Sequence, residues 1–428
     1  PLGHPGDSLG STDGSFPLTP PTRWKPGVRP DGATYAGTSL HPPATEENCA
    51  ALKRIQSELK VDRVFLDDDF RLARGPGVIG GCFCDEHKKE FLQKGGYGDT
   101  DWSALLESVN NRQLTPVLRA WVEFTCDQLT GAFKAQQDAA PDIQLGNMIM
   151  FMGAEKAGIR LDDYRDVPFR VGELMFNDAS FDPVKGKTDE LFSALFHRRF
   201  AQPELAFSET TAYPADQLSA ANMAAKLAIS TISDCRNTMF MSGLTPFPKT
   251  HWETLAPAMK RQAEQHAVLA GHVPRGPFKH FWGELGRKVG DDNAFSLFLA
   301  AGIPFEVLDN LPQGGWGFFG DHDAQCLPDS GEAAYFARPD SGFKDESVRA
   351  LPETLDALFH LKHEVASSLT DVPYVEDDKP VVCAWYPTAR AVLLWNLSNK
   401  SERFTLRIAQ ERRTVEVNPL DTELVREI

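Results

Sequence analysis

The residues best equipped for chemistry are carboxylates and thiols gathered at three places in the chain. Glu209 stands in Phe207-Ser-Glu-Thr-Thr-Ala-Tyr213, at the end of the apolar stretch Leu205-Ala-Phe-Ser208. The hydroxyls of Ser208, Thr210, Thr211 and Tyr213 surround it, and hydrogen bonds from such groups keep a carboxylate ionised, as a nucleophile requires. Asp67, Asp68 and Asp69 follow the apolar run Val64-Phe-Leu66. Three like charges in a row favour keeping a proton on one of them, the state of a general acid, with Arg71 and Arg74 close by to offset the rest. The plainer roles are a helix cap or solvated residue for Glu209, and a turn or cap for the aspartates. Cys82-Phe-Cys84-Asp-Glu-His87 offers three soft ligands to a zinc ion. Two cysteines one residue apart suit a shared tetrahedral site poorly and no fourth ligand is evident, so the expectation is reduced thiols, no metal and no cofactor.

A pair of carboxyl groups of this kind is what cleavage of a glycosidic bond demands: one protonated toward the leaving oxygen, the other facing the anomeric carbon. Glu209 fits the second role, and Asp68, with Asp67 and Asp69 beside it, the first. Glu173 and Asn177 are placed to hold sugar hydroxyls, with Arg71 and Tyr213 as further substrate-binding side chains. Trp24 and Trp252 offer aromatic faces for a sugar ring. Trp24 sits in the Gly- and Pro-rich segment from Pro1 to about Pro43, which reads as a long irregular segment; a loop over a binding cleft would explain its aromatics, and so would packing on a neighbouring surface.

The elements that must position these groups are short apolar strands alternating with helices. Strands are expected at 62–66, 143–152, 169–176, 205–208 and 238–242. Helices are expected at 46–60 (with Leu52, Ile55 and Leu59 on one face), 102–110, 114–139, 190–199, 217–231 and 252–271. Such alternation indicates a parallel β/α architecture, whose chemistry lies at strand C-terminal ends. The polar residues fall there: Asp67 to Asp69, Asn147, Glu173 with Asn177, Glu209 and Ser242. Only about five β/α units precede Pro246, so the expectation is that three barrel strands lie upstream of Pro1. Beyond them, 293–301 reads as a helix leading through Gly302 into a strand to Leu308. Residues 380–428 alternate as a small antiparallel β-domain.

The chain has 428 residues, a formal net charge of -16 and 42% hydrophobic residues. That charge argues against nucleic acid or an anionic membrane surface as a partner. No apolar run approaches the ~20 residues that span a bilayer. Seven irregularly spaced cysteines point to reduced thiols and a cytoplasmic setting.

The strings Val64-Phe-Leu-Asp-Asp-Asp-Phe-Arg71 and Gly81-Cys-Phe-Cys-Asp-Glu-His-Lys-Lys-Glu-Phe91 resemble the catalytic barrel of clan A glycoside hydrolases. Within that clan they look most like the family 42 β-galactosidase-like enzymes with a trimerisation domain. Asp291 to Leu308 and the alternating tail from Pro380 are similar to that group's second and third domains. The resemblance implies a (β/α)8 barrel over 1–271 (strands four to eight), a flavodoxin-like α/β domain over 272–375 and a C-terminal β-sandwich over 376–428. It also implies an acid/base at the end of the fourth barrel strand, a nucleophile at the end of the seventh, and a homotrimer. Counting back from 238–242 as the eighth strand puts Glu209 at the nucleophile position. The usual Asn-Glu pair of the fourth strand is replaced by Asp67-Asp68-Asp69. Members of the group often carry Cys-x-Cys-x-x-Cys before a helix, and here His87 takes the third cysteine's place.

The expectation is therefore a retaining glycoside hydrolase acting on a β-glycoside such as a β-galactoside or β-mannoside. The alternatives are a carbohydrate-binding pseudoenzyme and a metal-dependent hydrolase or lyase built on the Asp cluster.

Overall fold

Each of the five apolar runs before Pro246 is a strand in the computed structural model of the chain. That structure describes residues 25, 27–35, 41–66, 70–72, 78–149, 152, 154–171, 175–242, 245–327, 334–338, 341 and 348–428. Asp67, Asp68, Asp69, Glu173 and Trp24 lie outside the described residues. The chain divides into two compact units, Pro1–Arg170 with Glu284–Asp292, and Val171–Gly283 with Asn293–Ile428.

In the first unit a small antiparallel hairpin, β1 (Gly27–Val28) and β2 (Thr34–Tyr35), precedes helix α1 (Pro42–Glu58) and strand β3 (Arg63–Phe65). Three helices follow, α2 (Asp85–Gly95), α3 (Asp99–Asn111) and α4 (Pro116–Ala139), and then β4 (Gln144–Met148) and β5 (Phe169–Val171). β3 pairs in parallel with β4, and β4 with β5. Thr115 starts α4: its hydroxyl accepts the Leu118 N–H, and Pro116 occupies the first turn, where its missing N–H costs nothing. Leu59 does not share the buried face of α1. The helix stops at Glu58, Leu59 is extended at the C-cap, and its side chain is exposed.

An aromatic core holds the helices of this unit. Trp121 is fully buried, with Trp102 edge-on at 5.5 Å, Phe91 edge-on at 5.2 Å and Phe83 at 4.5 Å between ring centroids. Truncating Trp121 to alanine would cost roughly 3–5 kcal/mol. The same core fixes the backbone of 79–84. The Trp121 indole N–H donates to the Gly80 carbonyl at 3.3 Å. Gly81 has φ +127°, and a Cβ there would meet Trp121 and Thr125 at 2.8–2.9 Å, so only glycine fits.

The second unit continues with α5 (Asp178–Phe181), α6 (Val184–His197), β6 (Ala206–Thr211), α7 (Ala220–Ser233), β7 (Asn237–Met241) and α8 (Lys249–Leu269). β6 and β7 pair in parallel. The seam between α6 and α7 is charged. Lys226 Nζ lies 2.6 Å from Glu190 Oε1 with both side chains fully buried, and the Phe181 ring covers the ammonium at 5.3 Å.

Five more strands, β8 (Phe278–Phe281), β9 (Phe305–Leu308), β10 (Trp316–Phe319), β11 (Ala334–Ala337) and β12 (Val348–Ala350), form an all-parallel sheet in the order β12-β11-β10-β8-β9. Helix α9 (Leu355–Val365) follows. The tail supplies β13 (Tyr374–Val375), β14 (Val381–Tyr386), β15 (Ala391–Asn396), β16 (Glu402–Ile408), β17 (Glu411–Val417) and β18 (Thr422–Arg426). These make two antiparallel three-stranded sheets, β13-β16-β17 and β14-β15-β18.

The helix expected at 293–301 is only a 3-10 turn at Leu297–Ala300. The Phe295 N–H donates to His280 Nε2 at 3.2 Å, and Phe295 and Phe298 are both buried, so tertiary packing outweighs helical propensity there. Among the described residues no helix is long and apolar enough to cross a membrane.

Candidate active site

Strand alternation decides what Glu209 can do. Ser208 points to the helix side of β6, where its hydroxyl is 2.5 Å from that of Ser230 on α7. Glu209 therefore leaves the opposite face, away from α7. It is 3% exposed, and the Thr211 hydroxyl, two residues on and on the same face, donates to its Oε1. The strand end is pinned from both sides. The Ala212 N–H donates to the Met241 carbonyl at 2.8 Å and the Tyr213 N–H to the Phe176 carbonyl at 3.1 Å. A buried carboxylate with a hydroxyl donor, on a strand anchored just beyond it, has one orientation and little freedom to leave it. That is the pre-organisation a nucleophile or charge stabiliser needs.

The remaining candidate side chains of this unit take other positions. Tyr213 is 69% exposed beyond the end of β6. Asn177 caps α5: its Oδ1 accepts the Ser180 N–H at 3.0 Å and its carbonyl accepts the Ser180 hydroxyl at 2.9 Å. Trp252, on α8, packs edge-on against Phe240 at 5.7 Å and Phe247 at 6.1 Å. Phe240 is the register partner of Thr210, one residue off Glu209, so its side chain leaves the face opposite to that carboxylate. Glu209 and Thr211 are thus brought together, and Trp252 is grouped with the aromatic residues of the helix side.

In the first unit Asn147, on β4, and Arg71, in an irregular stretch, each keep a donor without a partner among the described residues. Asn147 on β4 is fully buried; its Oδ1 accepts the Met148 N–H at 2.8 Å, while its Nδ2 has no hydrogen-bond partner among the described residues. Arg71 is half-buried, and its Nε likewise finds no partner among the described residues. Buried donors left over in this way are costly unless something else accepts from them. The sequence marks Asn147 only as a polar strand end. Nothing in the pattern shows that its amide is left unsatisfied.

A separate cluster in the first unit could hold a metal. His41, Cys82, Cys84 and His87 bring four ligand atoms within 4.8 Å of one another. Cys84 Sγ is 3.2 Å from His87 Nδ1, and His41 Nε2 is 3.9 Å from Cys82 Sγ and 4.0 Å from Cys84 Sγ. Burial pushes the Cys82 thiol up to about 12, so it stays protonated unless a cation draws out the thiolate. The fourth ligand that the sequence did not yield is His41. It sits 41 residues before Cys82, a separation that no local spacing rule covers. Four protein ligands leave no open position for water, so an ion held there would be structural.

Parallel β/α units with polar side chains at strand ends, a second parallel sheet and antiparallel strands after it together define a chain with the fold of barrel-type β-galactosidases. The polyextremophilic β-galactosidase of the Antarctic haloarchaeon Halorubrum lacusprofundi matches with a TM-score of 0.56 at 12% identity, over 94% of this chain and 86% of that one. The β-galactosidase of Bacillus circulans sp. alkalophilus matches with a TM-score of 0.56 at 9% identity, over 93% and 85%. That of the psychrophilic Marinomonas ef1 gives 0.55 at 8%, over 93% and 86%. At these identities the likeness is one of fold. No family model matches the sequence, and no curated protein does.

Proposed function

We propose that the protein is a retaining β-glycosidase with Glu209 as its nucleophile, acting on a β-galactoside or β-mannoside. The observation that carries this reading is the Glu209 carboxylate itself: buried, on the face of β6 turned away from the helices, and held by the Thr211 hydroxyl. In the first step a Glu209 oxygen bonds to the anomeric carbon as the bond to the leaving oxygen breaks. One of Asp67, Asp68 and Asp69 gives its proton to that oxygen. In the second step the same aspartate takes a proton from water, the water oxygen bonds to the anomeric carbon, and Glu209 is released. Retention requires the two carboxyl groups to be about 5 Å apart. Glu173, Asn177, Arg71, Tyr213 and Trp24 are the proposed sugar contacts; Trp252, which packs on the helix side of β7, is not among them.

The same reading assigns 1–271 to the catalytic barrel, 272–375 to a flavodoxin-like domain and 376–428 to a β-sandwich. What supports the second assignment is the strand order. Taken from β8 onward it runs 2-1-3-4-5, the order of flavodoxin-like sheets. Two antiparallel three-stranded sheets support the third. A homotrimer in the cytoplasm completes the proposal.

The test is hydrolysis of a panel of aryl β-glycosides by the wild type and by Glu209→Gly, with and without azide. Turnover by the wild type, its loss in the variant, and azide-rescued formation of an α-glycosyl azide are the expected results. Rescue that gives the β-azide, or a variant that keeps full activity, would remove Glu209 from the nucleophile's role. A wild type that binds a sugar and turns over none of the panel would make the protein a carbohydrate-binding pseudoenzyme.

A further inference from the structure

We propose that Met241 is an oxidation site through which peroxide turns down the glycosidase, its sulfoxide drawing the Thr211 hydroxyl away from Glu209. The activity affected is the one proposed for Glu209; the oxidation site itself stands on the β6–β7 pair alone.

β7 carries two thioethers on the face that carries the carboxylate. Met239 is the register partner of Glu209, and Met241 of Thr211. Register partners in a parallel pair put their side chains on the same side of the sheet. The residue between the two methionines goes the other way: Phe240 meets Trp252 of α8 edge-on at 5.7 Å. Paired strands run about 4.7–4.9 Å apart. The three rotatable bonds of a methionine let the Met241 sulfur span that gap to the Thr211 hydroxyl.

Exposure separates these two from the methionines of the core. Met148, Met152 and Met223 are all at most 4% exposed. Met239 and Met241 are half-buried, open enough for a molecule the size of hydrogen peroxide. Met259, on α8, is 41% exposed and serves as the reference for a freely reacting thioether.

The reaction balances with hydrogen peroxide as the oxidant. A sulfur lone pair attacks one peroxide oxygen and the O–O bond breaks. The departing hydroxide takes the proton left on the transferred oxygen and leaves as water. Sulfur is oxidised to the sulfoxide, and the peroxide is reduced. A thioether is a weak acceptor, whereas the sulfoxide is polar and its oxygen carries partial negative charge. The Thr211 hydroxyl has a single proton, and it gives that proton to Glu209 Oε1. A sulfoxide on Met241 competes for it and sets negative charge on the carboxylate's face of the sheet. Both effects disfavour the ionised, oriented Glu209 that a nucleophile must be.

The experiment treats the full chain with graded hydrogen peroxide, maps methionine sulfoxide by mass spectrometry of its peptides, and follows kcat/KM on the aryl β-glycosides. Met241 is expected to oxidise well ahead of Met223, and kcat/KM to fall about tenfold as it does. The two methionine sulfoxide reductases, one for each sulfoxide epimer, should restore the rate. Each variant is measured against its own untreated rate. Met241→Leu is expected to lose nothing and Met259→Leu as much as the wild type. Thr211→Val should lose under about twofold, because the hydroxyl in contention is already gone. A Met241 that oxidises no faster than Met223 would overturn the site. Complete oxidation with kcat/KM unchanged, or an equal loss in Met241→Leu, would overturn its effect. An undiminished loss in Thr211→Val would overturn the route through that hydroxyl. A wild type that turns over no glycoside before treatment defeats the glycosidase reading instead; the peptide map still decides the site, and sugar affinity by calorimetry takes the place of the rate.

Discussion

Glu209 and the pair Cys82 and Cys84 are aimed by the same rule, yet their partners are found in different ways. On β6, Ser208 goes to the helix and Glu209 to the other side; at 82–84, Phe83 goes to the aromatic core and the thiols to the other side. Glu209 then meets the Thr211 hydroxyl from its own strand, two residues away. The thiols meet His41 from another element. Alternation along the chain fixes direction, and tertiary structure fixes who waits in that direction.

Removing Glu209 is the largest test of the local case. Glu209→Ala is expected to lower glycoside turnover on the order of 10⁴-fold or more, with folding unchanged by circular dichroism. A loss under tenfold would mean the aim of β6 is structural only.

Lys226 and Glu190 are a second pair that only tertiary structure brings together. They are 36 residues apart and fully buried. Lys226→Met is expected to cost roughly 3–5 kcal/mol in urea unfolding, because Glu190 is left charged and dry. Lys226→Met with Glu190→Leu should recover most of that loss. Equal losses in the single and double variants would contradict the pairing.

Two buried imidazoles give the comparison a pH axis. Burial pushes His280 down to about 3 and His197 to about 4. Both stay neutral in the fold while the unfolded chain protonates below ~6.5. Stability is therefore complete above ~6.5 and falls as pH drops toward 4, with His197 contributing about 3 kcal/mol of that loss. His197→Phe should flatten the dependence of urea midpoints between pH 6.5 and 4 by about that amount. An unchanged slope would place the proton uptake elsewhere.

The smallest expected effect belongs to Thr211. Thr211→Val is expected to reduce kcat/KM about tenfold, while Thr211→Ser restores it. A loss that serine does not rescue would point to packing instead.

The legible parts of the sequence follow the same division. β3 to β7 could be read from short apolar runs, and β14 to β17 from alternation, because each is set by neighbours two residues away, while the two-residue strands β1 and β2 carry no such pattern. β18 was hidden in Thr422-Glu-Leu-Val-Arg426, where three polar residues obscure the strand pattern. The helix expected at 293–301 failed because Phe295 and His280 make a contact no local pattern contains. The contact of Glu209 with a hydroxyl was legible because its hydroxyl-bearing neighbours adjoin it in sequence. The approach of His41 to Cys82 and Cys84 was not, because it is made by residues more than forty apart in sequence.

The central claim is that Glu209 forms the covalent intermediate, and trapping tests it most directly. The wild type is incubated with 2-deoxy-2-fluoro β-glycosides of galactose and mannose, digested with protease, and its peptides mapped by mass spectrometry. The account predicts a single fluoroglycosyl adduct on Glu209, formed as activity is lost. An adduct on Glu173 or within Asp67 to Asp69, or an active enzyme that accumulates no adduct on Glu209, would contradict it.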